Sequence, residues 1–253
     1  MRIILITQDE PFFLQESIKR LLKHLPKNTD IVGCVVSDVS PFGKKESFLI
    51  KAIKTLQIFG IYFFIRYAIK YIFNKLFNKS VKQFLSSEGI NLIELNESIN
   101  SEKSLNKLTA LEPDLLISIA GNEIFKKDLI NLAPKGCLNL HTGLLPKYRG
   151  LMPTFWAMKN KEEYIGVSVF FVDEGIDSGP IIEQEKLNIK GMSQNEVILL
   201  TKKIGMDLII KAIKKIKEEK FELKENNDDD MSYYGFPTRD DVICFTKSGN
   251  KFF

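Results

Sequence analysis

Gly136-Cys-Leu-Asn-Leu-His-Thr-Gly-Leu-Leu-Pro-Lys-Tyr-Arg-Gly150 reads as a short apolar strand that ends on polar side chains and runs into a Gly- and Pro-containing turn. Side chains alternate along a strand, so Asn139 and His141 share one face. Parallel sheets gather ligands beyond the carboxyl ends of their strands. A buried polar group left unpaired costs about 1–3 kcal/mol. Leu138 and Leu140 bury this strand, so Asn139 and His141 require either a hydrogen-bonded network or a site.

The pattern on either side predicts the sheet that holds this strand. Residues 2–7 are an apolar run, Glu16–Leu25 has helical spacing and Ile31–Val36 is a second apolar run, which together make a βαβ opening. Strand-like Ile90–Leu95, a helical stretch Ser101–Leu111, strand-like Asp114–Ala120 and a helix near Lys126–Leu132 lead into Cys137–Leu140. Gly166–Val172 and Ile181–Glu185 extend the sheet, and Ser193 with Glu196 forms a capping box that opens a helix running to about Lys217. The expected fold is α/β, a Rossmann-like, mostly parallel sheet with helices on both faces. Residues 1–222 are expected to form the catalytic domain, and 223–253 a polar linker and short C-terminal tail.

Composition narrows the class without naming a function. At 253 residues, 44% hydrophobic and 27% charged, the chain has the make-up of a folded globular protein. Its net charge of +4 is mild and its lysines are dispersed, so no basic arm for nucleic acid is expected. Cys34, Cys137 and Cys244 are too far apart for a disulfide framework, and without a Cys-x-x-Cys pair no metal site is expected. Met1 leads straight into Arg-Ile-Ile-Leu-Ile-Thr, with no cleavage site, and a cytoplasmic location is expected.

An insertion at about 44–86 stands apart. Between Glu46 and Glu88 it carries Lys51, Lys54, Arg66, Lys70, Lys75, Lys79 and Lys82 among Phe, Ile, Leu and Tyr, and no acid. Its apolar stretch Leu56–Ile65 is half of the roughly 20 residues needed to span a bilayer. Two readings follow: a basic amphipathic helix over 47–80 lying on the inner face of an anionic membrane, or a helical insertion packed on the core or at a homodimer interface.

The chemistry sits in the 136–150 block and a second one, Gly166-Val-Ser-Val-Phe-Phe-Val-Asp-Glu-Gly-Ile-Asp-Ser-Gly-Pro-Ile-Ile182. The second is a strand followed by a Gly- and Pro-rich loop with three acids, from which a carboxylate can reach His141. A His–Asp pair beside an amide supplies the acid/base and oxyanion parts of a transfer site. His24, the other histidine, lies late in a surface helix.

These motifs resemble those of the folate-dependent formyltransferase family, which includes glycinamide ribonucleotide transformylase, methionyl-tRNA formyltransferase and the sugar N-formyltransferases. The shared pattern is Asn-x-His at a strand end, a Leu-Leu-Pro continuation and an Asp 36 positions after the His, here Asn139, His141 and Asp177. Thr142-Gly143 departs from the Pro-Ser or Gly-Ser of many members. The resemblance implies 10-formyltetrahydrofolate as formyl donor. It implies that Asn139 donates to the formyl oxygen, that His141 holds the oxyanion and moves the proton, and that Asp177 orients His141 and accepts the amine proton, with Asp173 as its competitor. The folate pocket is implied at Asn122, Glu123, Ile124 and Phe125 and at Val172, Asp173, Glu174, Gly175 and Ile176. Substrate contacts are implied at Thr142, Gly143, Lys147, Tyr148 and Arg149, with Tyr148 stacking on a base and Arg149 pairing a pyrophosphate.

The acceptor is expected to be a small-molecule amine. Residues 7–13, Thr-Gln-Asp-Glu-Pro-Phe-Phe, lack the Gly-rich turn that would cradle the phosphate of glycinamide ribonucleotide. Only about 35 residues follow the last core helix, against the basic domain of about a hundred with which methionyl-tRNA formyltransferase grips RNA. A nucleotide-linked amino sugar is therefore the expected acceptor. Formyltetrahydrofolate hydrolysis and a non-catalytic folate-binding role are the alternatives from other classes.

Overall fold

A computed structural model describes residues 1–39, 47–77 and 80–253. Its main sheet holds β1 (Arg2–Gln8), β2 (Asp30–Ser37), β3 (Leu115–Ile119), β4 (Cys137–His141), β6 (Tyr164–Phe171) and β7 (Ile181–Asn188) in the order β2-β1-β3-β4-β6-β7. β5 (Arg149–Gly150) lies outside it and pairs with β8 (Tyr233–Tyr234). The pairs β1–β2, β1–β3 and β3–β4 are parallel, whereas β4–β6 and β6–β7 are antiparallel.

Burial explains the layering. Ile3 and Leu5 of β1 face one apolar cluster, and Ile4 and Ile6 face another, so the strand is covered on both sides. The first cluster takes in α1 (Leu14–Lys23), α4 (Val81–Ser87), α7 (Pro153–Lys159) and α8 (Gln194–Glu218). The second takes in α5 (Glu102–Thr109) and α6 (Lys127–Ile130). The expected mostly parallel sheet with helices on both faces is the architecture found. The Ser193–Glu196 capping box forms as read from the sequence. Gly205 of α8 sits against Leu140, where a Cβ would come within 2.7 Å of the leucine side chain, so α8 can press closely on the strand that ends at His141.

Residues 90–95 do not form the expected strand. Backbone pairing with β2 is limited to the Cys34–Leu92 bridge, made by Cys34 N–H to Asn91 O at 2.8 Å and Ile93 N–H to Cys34 O at 2.9 Å. Their apolar side chains are only half-buried, so nothing rewards extending the ladder.

The insertion forms α2 (Phe48–Phe59), α3 (Ile61–Leu76) and α4. The expected boundary at 44–46 and Lys79 lie outside the described residues. Asp9, just past β1, accepts from Ser80 Oγ and Val81 N–H at the start of α4, and Asn74 of α3 donates to Pro11 O at 3.1 Å. The insertion therefore roofs the loop at the carboxyl end of β1.

Residues 223–253 are mostly polar at their start, but they end in α9 (Arg239–Lys247), which packs on the core. Phe245 is fully buried and stacks on Phe155 and Phe252. Asp241 completes a capping box with Thr238 and pairs with Lys159 at 2.9 Å. Burial acts against the Asp241 carboxylate, yet the Thr238 hydroxyl and amide and the Lys159 ammonium outweigh it and hold its pKa below the ordinary 3.8. The depressed value makes this contribution present above the unfolded pKa and lost as pH falls through the folded one. Asp241→Ala is expected to lower stability by about 1–2 kcal/mol at pH 7 in urea denaturation, with the difference from wild type closing in acid below the ordinary carboxylate range.

Candidate active site

β4 carries Asn139 half-buried and His141 buried on one face, at the edge where the parallel strands end. His141 Nε2 lies 2.7 Å from the Tyr148 carbonyl oxygen. A carbonyl only accepts, so Nε2 carries the hydrogen and Nδ1 is the nitrogen open to proton transfer. Nδ1 faces Asp177 Oδ2 at 3.5 Å. That oxygen also accepts Gly150 N–H at 2.8 Å, which fixes the carboxylate against the 148–150 turn.

The local sequence makes this geometry possible at a backbone cost. Tyr148, Met152 and Asp177 take positive φ of 63°, 52° and 49°, and Gly150 takes 91°. Strain of this kind concentrates where surrounding contacts over-determine it. The contacts are visible: Ser168 Oγ donates to Gly143 O at 2.8 Å, and Gln184 Nε2 donates to Leu145 O and to Ser168 Oγ, each at 2.9 Å. Gly143 is buried under the imidazole, where a Cβ would stand 2.7 Å from His141 Nε2 and 3.1 Å from Tyr148 O.

Asn139 has no side-chain hydrogen bond to another described residue, although a structural network was one of its two expected explanations. Asp173 is not a rival for His141: its Oδ1 accepts from Ser178 Oγ at 2.6 Å and Gly175 N–H at 3.1 Å and so closes its own turn. His24 is tied to its own helix, with Nδ1 2.9 Å from Arg20 O.

Around the implied folate pocket, Asn122 Nδ2 donates to Asp38 O and Glu123 accepts from Ser98 Oγ, while Ile124 and Ile176 expose apolar side chains on their loops. Phe125 is a core residue. Val172 is half-buried against the same cluster, and Glu174 and Gly175 are exposed.

Two expected substrate contacts do not fit. Tyr148 is buried, its hydroxyl donates to Glu162 at 2.8 Å, and its ring already stacks on Tyr234. Burial pushes its phenol up to about 12, with Glu162 adding to the effect, so it stays a donor. Arg149 is also buried, and its guanidinium pairs with Asp228 at 2.7 Å and donates to Asn226 O at 2.9 Å. Both side chains serve the packing of the C-terminal segment and leave no face for a base or a pyrophosphate. Of this turn Lys147 is exposed and Thr142 half-buried.

Asn226 was not singled out from the sequence. Its Nδ2 donates to Asp177 O at 2.8 Å and Gly179 O at 2.9 Å, holding the Asp177 loop from 49 residues away. Glu10 also lies outside the expected site residues: its side-chain oxygens accept Phe12, Phe13 and Leu14 N–H at 2.7, 2.9 and 3.3 Å at the start of α1. An acid three or four residues before a helix was the only signal, and it is weak. Burial pushes Cys34 up to about 12 and raises Cys137 as well, so neither offers a thiolate near neutral pH. Among the described residues no cluster of three or more His, Cys, Asp or Glu is placed to hold a metal.

Comparison with known proteins adds independent support. The methionyl-tRNA formyltransferase of Kosmotoga olearia is 36% identical over 172 residues, which cover 67% of this chain and 54% of that protein. That of Thermodesulfovibrio yellowstonii is 37% identical over 125 residues, 48% of this chain and 40% of the relative. The chain thus spans about half the length of the curated relatives it matches. In fold it is similar to glycinamide ribonucleotide transformylase 1 from Symbiobacterium toebii, with TM-score 0.61 and 15% identity over 89% of this chain and 94% of that one. It is also similar to an N-formyltransferase from Helicobacter canadensis solved with folinic acid and dTDP-3-aminofucose, with TM-score 0.57 and 20% identity over 92% and 71%. A family model described as formyl transferase matches residues 72–213, a span that is more than half of the chain and contains Asn139, His141 and Asp177. On that match, the chain belongs to the formyl transferase family.

Proposed function

We propose that the protein transfers a formyl group from 10-formyltetrahydrofolate to a primary amine, with the amino group of a nucleotide-linked amino sugar as acceptor. The observation that carries the transfer chemistry is the meeting of His141 and Asp177 at 3.5 Å beside an unpartnered Asn139, at the carboxyl edge of the sheet.

The folate supplies an activated formyl carbon. Exposed Ile124 and Ile176 offer apolar surface for its flat ring, and the backbones of 122–125 and 172–176 offer hydrogen bonds. Asn139 donates its amide N–H to the formyl oxygen as negative charge builds there during attack by the amine nitrogen. Asp177, held by Gly150 N–H, takes the proton that the amine releases, directly or through Nδ1 of His141. The same proton passes from the His141–Asp177 pair to the folate nitrogen as its bond to the formyl carbon breaks.

Two observations bear on the acceptor. The three amides at the start of α1, where a phosphate of glycinamide ribonucleotide would be cradled, already hold the Glu10 carboxylate. This disfavours that substrate and leaves exposed Lys147 as a neighbour for a sugar. A second reading, formylation of methionyl-tRNA, is favoured by the names of the sequence relatives at 36% and 37% identity.

Absorbance detection of tetrahydrofolate release separates these readings. Turnover is expected with one or more nucleotide amino sugars and not with glycinamide ribonucleotide; turnover with methionyl-tRNA alone would move the assignment to the second reading, and turnover without an amine would indicate a hydrolase. His141→Ala and Asn139→Ala are each expected to lower kcat about 10²–10³-fold, with the thermal midpoint near wild type for Asn139→Ala and lowered for His141→Ala, which leaves the buried Tyr148 carbonyl without its partner. Gly143→Ala, which forces the imidazole off the Tyr148 carbonyl, is expected to cost about 10²-fold in kcat, read in the same assay with a fold check by circular dichroism.

A further inference from the structure

α3 carries Ile61, Ile65, Ile69, Ile72 and Leu76 at intervals of four, four, three and four, which places them along one stripe of the helix. All are at least half exposed, from 50% at Ile65 to 75% at Leu76. Leu49, Ile53 and Leu56 of α2 repeat the pattern, and Phe48, Tyr62, Phe73 and Phe77 add exposed rings. This stripe is not the side by which α3 holds the protein. Asn74 is buried and bonded to Pro11 O, Tyr67 lies against Phe12, and Phe63 packs edge-on against Phe252. An apolar surface of this extent on a folded chain marks an interaction site.

Charge selects the occupant. Residues 47–87 contain no Asp or Glu; of their cations Lys51 donates to Val39 O, Lys70 to Asn195 and Lys82 pairs with Asp38, while Lys54, Arg66 and Lys75 are exposed. A second copy docked stripe to stripe would bring two such acid-free sets together, because a two-fold interface apposes the same patch. An anionic bilayer surface offers apolar depth for the Ile and Leu stripe, an interfacial zone for Tyr and Phe, and negative headgroups for long Lys and Arg side chains. Among the described residues no helix is long and apolar enough to cross a membrane, so the helices would lie along the surface.

We propose that α2 and α3 form a docking face for an anionic lipid bilayer, with the Ile61–Leu76 stripe in the headgroup–acyl boundary. Docking depends on this face and not on which amine is formylated.

Flotation of the full chain with phosphatidylcholine vesicles, and with phosphatidylcholine/phosphatidylglycerol vesicles, tests it. The expected result is co-flotation with the anionic vesicles alone, weakening as salt is raised. Ile65→Glu/Ile72→Glu is expected to lower partitioning at least about tenfold, with circular dichroism and thermal midpoint unchanged because both positions are exposed. Lys75→Glu, a single charge reversal, is expected to weaken binding and its salt dependence without abolishing it. Absence of flotation at low salt overturns the proposal, as does equal flotation of the double variant. A wild-type dimer that the double variant converts to monomer, with no vesicle binding by either, would assign the face to a second copy instead.

Discussion

The hydrogen bond from His141 Nε2 to the Tyr148 carbonyl, 2.7 Å long, ties the end of the central strand β4 to the turn that follows it. It chooses the imidazole tautomer, and so decides which nitrogen faces Asp177. Much of the surrounding chain keeps that carbonyl in place. Tyr148 must take a left-handed backbone, Gly143 must lack a side chain, and the Ser168 and Gln184 side chains hold the turn from β6 and β7. Gly205 lets α8 close on Leu140 behind the same strand. A site residue is precise only when its support is.

The C-terminal segment is part of that support. Asn226 holds the backbone of the Asp177 loop, and Arg149 reaches back to Asn226 and Asp228. Ser232 Oγ accepts Tyr148 N–H at 2.9 Å, and β8 lies along β5. The carboxylate and the imidazole are thus each positioned by residues of the C-terminal segment and the 148–150 turn. Buried Arg149 serves this bracing: its two Nη atoms find carboxylate and carbonyl partners in the segment, while its Nε is buried without one.

What the sequence made legible follows periodicity. β1, β4, β6 and α8 are strongly patterned and stand at the runs read from the sequence; Asn139 and His141 share a face because a strand repeats every two residues. Residues 90–95 had strand composition but gained only one bridge, because pairing depends on what a neighbouring strand buries. The two-residue ladder of β5 and β8 has no period to read. The inward turn of Tyr148 and Arg149 depends on positive φ at Tyr148 and on partners beyond residue 160, among them Glu162, Asn226 and Asp228, none of which local pattern reports. Glu10, within the 7–13 loop that lacks a Gly-rich turn, holds the first amides of α1 with its side-chain oxygens.

With His24 and His141 the only histidines in the chain, nitrogen-15 spectroscopy of imidazole-labelled protein resolves the tautomer directly, with a His24→Gln variant assigning the signals. The account predicts that neutral His141 shows a protonated Nε2 and a bare Nδ1, and that Nδ1 is the nitrogen that changes on acidification. A neutral His141 protonated at Nδ1 would place the hydrogen on the side of Asp177, break the link to Tyr148, and contradict the account.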